Sequence, residues 1–146
     1  MAASVSNTGV VGADVIENQI ETDVLSSIEN VIGSGDDDVI TGSDAGNILQ
    51  GGDGDDILSG EGGNDILIGG AGADIFAFEP GDGIDLILGF ELGVDKIKLS
   101  DFGPDFDLSS SITQDGSDAV LTFSNDASVR LDGIDSTQFS EDDFIA

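Results

Sequence analysis

The chain has 146 residues, of which 31 are acidic and only 3 are basic, so its formal net charge is −28. Three cations cannot neutralise a phosphate backbone, which excludes nucleic-acid binding. The lack of Cys excludes a disulfide framework, and the lack of His removes the most common general base. No apolar run approaches the roughly 20 residues of a membrane span. Asp outnumbers Glu by 24 to 7 and there are 22 Gly, a composition typical of turns and of oxygen ligands for hard cations.

The N-terminal segment begins with ten small and polar residues, Met1 to Val10. These contain neither a basic region nor an apolar core, so we predict no N-terminal signal peptide. Near the end of the segment, Glu29 and Val31 stand at the spacing of the repeat that follows. We therefore assign residues 1–30 as an N-terminal flank with a degenerate copy of that repeat.

A nine-residue repeat fills the middle of the chain, with five units that begin at Gly33, Gly42, Gly51, Gly60 and Gly69. The sixth place of every unit is Asp or Asn, at Asp38, Asn47, Asp56, Asp65 and Asp74. The eighth place is always large and apolar, at Ile40, Leu49, Leu58, Leu67 and Phe76. After short insertions the same spacing returns at Gly81, Gly83, Asp85 and Ile87, and again at Gly93, Asp95 and Ile97.

Each unit predicts a Gly-rich turn of six residues followed by a strand of three. Two units back to back form an 18-residue coil, and stacked coils bury the eighth-place residues in a continuous core. Residues 18 apart then lie about 4.8 Å from each other, which stacks Asp38 under Asp56, Asn47 under Asp65, and Asp56 under Asp74. Columns of carboxylates this close require a cation between them. We expect the insertions before Asp85 and Asp95 to break this stacking.

These units resemble the G-G-x-G-x-D-x-U-x nonapeptide of the RTX family, the calcium-binding repeats of bacterial type I-secreted proteins. The resemblance covers residues 29–98 and is closest over 51–77. It implies an all-β fold, a right-handed parallel β-roll over residues 31–98. It also implies that Ca²⁺ lies between turns, held by sixth-place side chains and by backbone carbonyls of the second and fourth places. The implied metal ligands are Asp38, Asn47, Asp56, Asp65, Asp74, Asp85 and Asp95, with carbonyls of Gly52, Gly54, Glu61, Gly63, Gly70, Gly72, Gly81 and Gly83.

Three departures from the repeat pattern modify this expectation. Asn47 offers an oxygen but no charge, so its site is expected to be weaker. Asp36 and Ala45 replace the fourth-place Gly, which is expected to strain the first two turns. We expect three to five bound Ca²⁺, held most strongly around Asp56 and Asp74.

The seventh place is also apolar, at Val39, Ile48, Ile57, Ile66 and Ile75. Strand alternation predicts that these side chains point away from the core. Two interpretations remain open. They are β-branched residues on a solvated sheet, or they form a face covered by the N-terminal segment or by a partner protein.

Residues 99–146 predict a C-terminal cap, because all eight Phe lie at or after position 76. Segments Ala119–Phe123 and Ser128–Ile134 predict a β-hairpin across Asn125 and Asp126, and Ser140 with Asp143 predicts a capped terminal turn. Residues 140–146 are similar to the uncleaved C-terminal signals of type I-secreted proteins. The three cations, Lys96, Lys98 and Arg130, are expected to pair with nearby carboxylates.

No catalytic motif occurs, so we predict that the chain is not an enzyme. Self-cleaving relatives of the RTX family cut at Asp-Pro, whereas here Glu79 precedes Pro80 and Gly103 precedes Pro104.

The resemblance implies a secreted bacterial calcium-binding module that is disordered at low Ca²⁺ and folds outside the cell, supporting type I secretion of its parent protein. Its implied partners are calcium ions, the type I secretion machinery and an upstream domain, without nucleic acid or a membrane span. The alternative is an accessory carbohydrate-binding module, similar to the repeat modules of alginate epimerases.

Overall fold

The computed structural model describes residues 13–15, 22–24, 30–124 and 126–145. The described part is almost entirely β-structure, with one short helix, α1 (Leu108–Ser111), and two 3₁₀ turns at Ser136–Gln138 and Glu141–Asp143. The strands are β1 (Ala13–Val15), β2 (Thr22–Val24), β3 (Asn30–Ile32), β4 (Val39–Thr41), β5 (Ile48–Asp53), β6 (Ile57–Ser59), β7 (Ile66–Ala71), β8 (Ile75–Phe78), β9 (Ile84–Leu88), β10 (Lys96–Leu99), β11 (Ile112–Asp115), β12 (Asp118–Ser124), β13 (Ala127–Leu131) and β14 (Phe144–Ile145).

Successive repeat strands alternate between two sheets. One sheet has the order β1-β3-β5-β7-β9-β13-β12-β11, and the other has the order β14-β10-β8-β6-β4-β2. All pairs from β1 to β10 are parallel, and between repeat units their register is 18 residues, as in Ile48 opposite Ile66 and Ile57 opposite Ile75. The chain is therefore a parallel β-roll, as the repeat period predicts.

The core is the column of eighth-place side chains between the two sheets. Leu49, Leu67 and Ile87 from one sheet meet Ile40, Leu58, Phe76 and Ile97 from the other, and all of them are fully buried. Full burial of one such side chain contributes about 1.5–3 kcal/mol. Because a three-residue strand buries only one of these side chains, no single unit is stable without its neighbours.

The insertions before Asp85 and Asp95 do not break the stacking, so that expectation is wrong. The first insertion forms a turn in which the Asp82 N–H donates to the Glu79 carbonyl, and β9 then pairs with β7 in regular register. The second is absorbed before β10, which pairs with β8 from Lys96 opposite Ile75 onward. The extra residues lie in the turns, so the ladders are unaffected.

The C-terminal residues close one end of the roll. The predicted hairpin is confirmed as β12 and β13, which pair antiparallel. β13 joins β9 in parallel, and β14 joins β10 in parallel. All eight Phe rings form two chains of ring contacts. Phe76, Phe90, Phe139 and Phe144 follow one another at 5.5–5.9 Å, and Phe78, Phe123, Phe102 and Phe106 at 4.8–5.6 Å.

The seventh-place side chains point outward and are half-buried or exposed, with Ile57 37 % exposed. Ile57 and Ile75 share the outer face of one sheet, and Ile48 and Ile66 that of the other. The N-terminal segment, which is one of the two predicted covers of these faces, lies mostly outside the described residues.

The division of the chain at residues 30 and 98 stays a prediction. Neither α1 nor the two 3₁₀ turns of the described chain has the length and hydropathy that membrane crossing requires.

Candidate metal centre

The sixth-place side chains form two buried columns at the ends of the strands. All seven are at most 3 % exposed: Asp38, Asn47, Asp56, Asp65, Asp74, Asp85 and Asp95. In each column, one carboxylate oxygen accepts a hydrogen bond from the backbone N–H of the sixth-place residue one coil earlier. One column runs Asp38, Asp56, Asp74, Asp95, and the other Asn47, Asp65, Asp85, with N–H to oxygen distances of 2.7–3.0 Å. The structure thus brings together all the sixth-place residues singled out by the repeat.

The turns are of two kinds, which the repeat pattern does not distinguish. In closed turns the second-place N–H donates to the sixth-place side chain: Ser34 to Asp38 at 2.6 Å, Ser43 to Asn47 at 2.8 Å, and Glu91 to Asp95 at 2.8 Å. In open turns this bond is missing, and the Oδ2 atoms of Asp56, Asp65 and Asp74 are buried without any hydrogen-bond partner.

The backbone of the second place separates the two kinds. Open turns have left-handed φ there, at Gly52 (118°), Glu61 (65°) and Gly70 (109°), and the turn before Asp85 shares this conformation at Gly81 (101°). This conformation suits Gly and is rare for other residues. The second-place residues of the closed turns, Ser34, Ser43 and Glu91, do not have positive φ.

The expected strain in the first two turns is wrong, because neither Asp36 nor Ala45 has positive φ. Serine side chains stabilise these turns instead. The Ser34 hydroxyl accepts from the Asp36 N–H at 3.1 Å, and the Ser43 hydroxyl accepts from the Ala45 N–H at 3.3 Å. A fourth-place Gly is therefore unnecessary where the second place is Ser.

The first-place glycines are needed for space. A Cβ on Gly51 would lie 2.1 Å from Asp56 Oδ2, and the same distance separates a Cβ on Gly60 from Asp65 Oδ2 and a Cβ on Gly69 from Asp74 Oδ2. Each of these three partnerless oxygens therefore lies in a cradle formed by the first glycine of its own unit.

The carbonyls implied as further ligands lie close to the following coil. A Cβ on Gly70 would meet the Gly52 carbonyl oxygen at 2.0 Å, and one on Gly72 would meet the Gly54 oxygen at 2.0 Å. The Gly63 oxygen is equally close to Gly83, at 1.7 Å from its Cβ position. Second- and fourth-place backbone thus stacks from coil to coil beside the carboxylate columns.

Burial raises the pKa of these carboxyl groups. Hydrogen bonds from the backbone lower the pKa, and neighbouring carboxylates raise it further. The pKa values of Asp56 and Asp65 rise from 3.8 to about 6, and those of Asp74 and Asp95 also rise. Burial, together with Asp65 and Asp82, raises the pKa of Asp85 to about 7. Without metal, the charged form of these buried carboxyl groups is therefore disfavoured.

This donor set fits a hard cation. A buried carboxylate oxygen without a donor is costly. Three occur in the successive open turns, and a fourth among the described residues is Asp38 Oδ1. No three Asp or Glu side chains of the described residues converge on one point as a metal cluster. Backbone carbonyls would therefore have to complete a shell, which suits Ca²⁺ with its 6–8 oxygen ligands.

Two acidic residues near the columns were not identified from the sequence as neighbours of the site. Asp82 lies between Gly81 and Gly83, just after the first insertion, and burial with Glu61 and Glu79 nearby raises its pKa to about 6. Asp143 is 2 % exposed and accepts from the Gly93 N–H at 3.0 Å and the Ser140 N–H at 2.8 Å. The Ser140 and Asp143 pairing confirms the predicted capped turn.

The expectation that the three cations pair with nearby carboxylates is confirmed only for Arg130. Arg130 forms ion pairs with Asp115 at 2.6 Å and Asp118 at 3.0 Å. Lys96 Nζ instead donates to the Asp142 carbonyl. Among the described residues, Lys98 forms no ion pair, and its side chain is exposed on β10.

Substituting a first-place glycine is expected to disrupt an open turn. Gly51→Ala places a methyl group against Asp56 Oδ2 and 2.6 Å from the Gly69 carbonyl oxygen, and such overpacking typically costs about 1–3 kcal/mol. Gly35→Ala is the matched control, because no atom lies within 4 Å of its Cβ position and its φ is not positive. Urea denaturation in Ca²⁺ measures both; equal stabilities would contradict the cradle.

Comparison with known proteins identifies this architecture. A family model of the RTX calcium-binding nonapeptide repeat (4 copies) matches residues 41–76. The fold is thus a β-roll built from nonapeptide repeats, and residues 41–76 carry RTX calcium-binding repeats.

Two solved structures are similar to the chain. Extracellular lipase LipA from Serratia marcescens matches 84 % of this chain at 26 % identity, with a TM-score of 0.55, and this chain spans 21 % of the lipase chain. The AlgE6R3 subunit of the Azotobacter vinelandii mannuronan C5-epimerase matches 96 % of this chain and 86 % of its own at 25 % identity, with a TM-score of 0.33. The comparison with curated proteins gave no match.

Proposed function

We propose that the chain is an RTX module that binds three to five Ca²⁺ and folds because it binds them. The partnerless, buried Oδ2 atoms of Asp56, Asp65 and Asp74 carry this proposal. Each lies in a glycine cradle that admits no side-chain carbon, and a small cation can satisfy it without rebuilding the turn.

We assign the strongest sites to these three open turns. The side chains of Asp56, Asp65 and Asp74 would hold the ions together with second- and fourth-place carbonyls, Gly52, Gly54, Glu61, Gly63, Gly70 and Gly72. Asp85, with Gly81 and Gly83, would supply a further site. Asn47 and Asp95 would bind more weakly, because the Asn47 oxygen and both Asp95 oxygens already accept backbone N–H bonds. Asp38, whose Oδ1 is buried without a partner, would supply a ligand to a further site.

The electrostatics link binding to folding. Bound Ca²⁺ supplies two positive charges per ion, so five ions offset ten of the 28 net negative charges. Without them, the folded chain stacks buried carboxylates whose charged forms are disfavoured. Since the unfolded chain has no preformed site, the binding free energy becomes folding free energy.

This coupling gives the chain a role in export. Extracellular calcium modules bind in roughly the 10⁻⁴–10⁻³ M range, so the sites would stay empty in a low-calcium cytosol. The chain would pass the type I secretion machinery unfolded and fold outside the cell as a non-catalytic part of a longer secreted protein. The RTX repeats and the similarity to part of an extracellular lipase support this localisation.

Calorimetric titration of the metal-free chain tests the stoichiometry. We expect three to five Ca²⁺ per chain, with a heat several times larger than binding to a folded protein gives, because folding accompanies it. Mg²⁺ at the same concentration should produce neither this stoichiometry nor this heat, since Mg²⁺ demands near-ideal octahedral geometry. Fewer than three ions, or equal binding of Mg²⁺, would contradict the assignment.

The carbohydrate-binding alternative gains no comparable support. A polyanionic glycan requires a basic groove, but Arg130 is paired with two carboxylates and Lys96 with a backbone carbonyl. The calcium-dependent folding role therefore remains the proposal.

A further inference from the structure

A groove runs along β14 at the C-terminal end of the roll. A cavity of about 580 Å³ lies between β14 and the segment after β10, and a second of about 400 Å³ adjoins it. The two share Phe106, Leu108 and Phe144 as walls. We call this continuous depression the β14 groove. Its volume lies in the range of ligand sites.

The groove lies beside the last strand of its sheet. Beyond β9, one sheet continues with β13, β12 and β11, whereas beyond β10 the other continues only with the two residues of β14. Among the described strands β14 is therefore the terminal strand of its sheet, and its outer edge is unpaired. Such an edge offers backbone groups to an added strand.

The side chains of the β14 groove specify what such a strand would contain. Its walls are half-buried or exposed apolar residues, including Phe102, Phe106 and Ile145, the last 37 % exposed. Its rim carries the exposed carboxylates Asp101, Asp107 and Glu141, and no Lys or Arg lines it. Apolar walls with an acidic rim complement a segment that alternates apolar and basic side chains.

We propose that the β14 groove binds an extended, basic and apolar segment of a partner polypeptide, which adds to the sheet at β14. Apolar side chains of that segment enter the groove, and its basic side chains meet the rim carboxylates. A second copy of this chain is a poor occupant, since each copy carries a net charge of −28. Because β14 has only two residues, the groove and the rim supply most of the affinity.

Three synthetic peptides of equal length test the proposal on the calcium-saturated chain by fluorescence anisotropy. They alternate Val with Lys, Val with Glu, and Ser with Lys. The Val/Lys peptide is expected to bind saturably and at least about tenfold more tightly than either other peptide, which is about 1.4 kcal/mol. Equal binding of the Ser/Lys peptide would show attraction by bulk charge alone and overturn the proposal.

Two variants locate the binding. Ile145→Asp is expected to weaken Val/Lys binding at least about tenfold, whereas Ile84→Asp, the same change at a 55 % exposed residue outside the groove, should leave it unchanged. Equal effects of both variants would overturn the proposal. So would self-association of the chain that Ile145→Asp abolishes, because the occupant would then be a second copy.

Amide chemical shifts of the unsubstituted chain give a test that does not depend on the folding of a variant. Addition of the Val/Lys peptide should shift resonances of residues 99–108 and 144–145. Shifts confined to the repeat turns would instead place the peptide on the acidic columns and overturn the proposal.

Discussion

The triple variant D56N/D65N/D74N is expected to raise the Ca²⁺ concentration at half-folding by about a hundredfold, or about 2.7 kcal/mol. All three substitutions remove charge from the buried oxygens that lack a hydrogen-bond partner. Each amide keeps the size of the carboxyl group, so the cradle at the first-place glycine is preserved. The measurement is a Ca²⁺ titration followed by far-UV circular dichroism.

The matched control for this variant is D36N/D44N/D53N, which removes the same charge from neighbouring turns. These three side chains are exposed, so the midpoint should shift by less than about twofold, an effect of net charge alone. If both triple variants shift the midpoint equally, the chain responds to overall charge, and the three buried sites are not the origin of the calcium response.

The second large effect concerns pH in the absence of calcium. In the folded chain the pKa values of Asp56, Asp65 and Asp82 are about 6 and that of Asp85 is about 7, against 3.8 ordinarily. As pH rises above about 4, the unfolded chain loses these protons first, so the folded state is progressively destabilised until about pH 7. In EDTA, β-structure should therefore decrease from pH 5 toward pH 7.

Calcium should reverse this dependence. The ions require ionised carboxylates, so the Ca²⁺ concentration at half-folding is expected to rise as pH falls below about 6. Burial favours the neutral form of Asp143, but hydrogen bonds donated by Ser140 and Gly93 outweigh it and lower the pKa of Asp143. Asp143 therefore stays ionised above pH 5 and does not contribute to either trend. Circular dichroism between pH 5 and pH 8, above the isoelectric point of about 4.1, measures both trends. A metal-free signal independent of pH would contradict them.

The roll itself was predictable from the sequence because period and burial coincide. A large apolar residue every nine positions, with Gly at the start of each unit, admits few arrangements other than stacked coils. The burial of Leu49, Leu58 and Leu67 and the 18-residue register follow directly. The hairpin of β12 and β13 was also predictable, because two β-rich segments flank a short turn.

The difference between open and closed turns was not predictable from the repeat alone. It depends on whether the second-place backbone is left-handed, and Glu61 has positive φ although it is not Gly. Ser34 and Ser43 provided a signal, since a hydroxyl can hydrogen-bond the turn and replace the left-handed conformation. The sixth-place pattern gives each unit equal weight, whereas the structure leaves a buried Oδ2 without a partner in three described units.

The outcome of the insertions and the pairing of β14 depended on long-range contacts. Whether the extra residues before Asp85 lie in a turn or displace a strand depends on the ladder with β7, which lies in a different unit. β14 is only two residues long, and its register with Ile97 and Lys98 is set by a partner about 47 residues earlier in the chain. Local propensity contains no such information.

Far-UV circular dichroism of the purified chain at neutral pH, begun in EDTA and titrated with Ca²⁺, tests the central claim most directly. The chain has no Trp or Tyr, so the backbone signal is the appropriate probe. We expect a coil spectrum in EDTA, a cooperative transition to β-structure as Ca²⁺ reaches about 10⁻⁴–10⁻³ M, and no transition with Mg²⁺. A β spectrum already complete in EDTA and unchanged by Ca²⁺ would contradict calcium-driven folding.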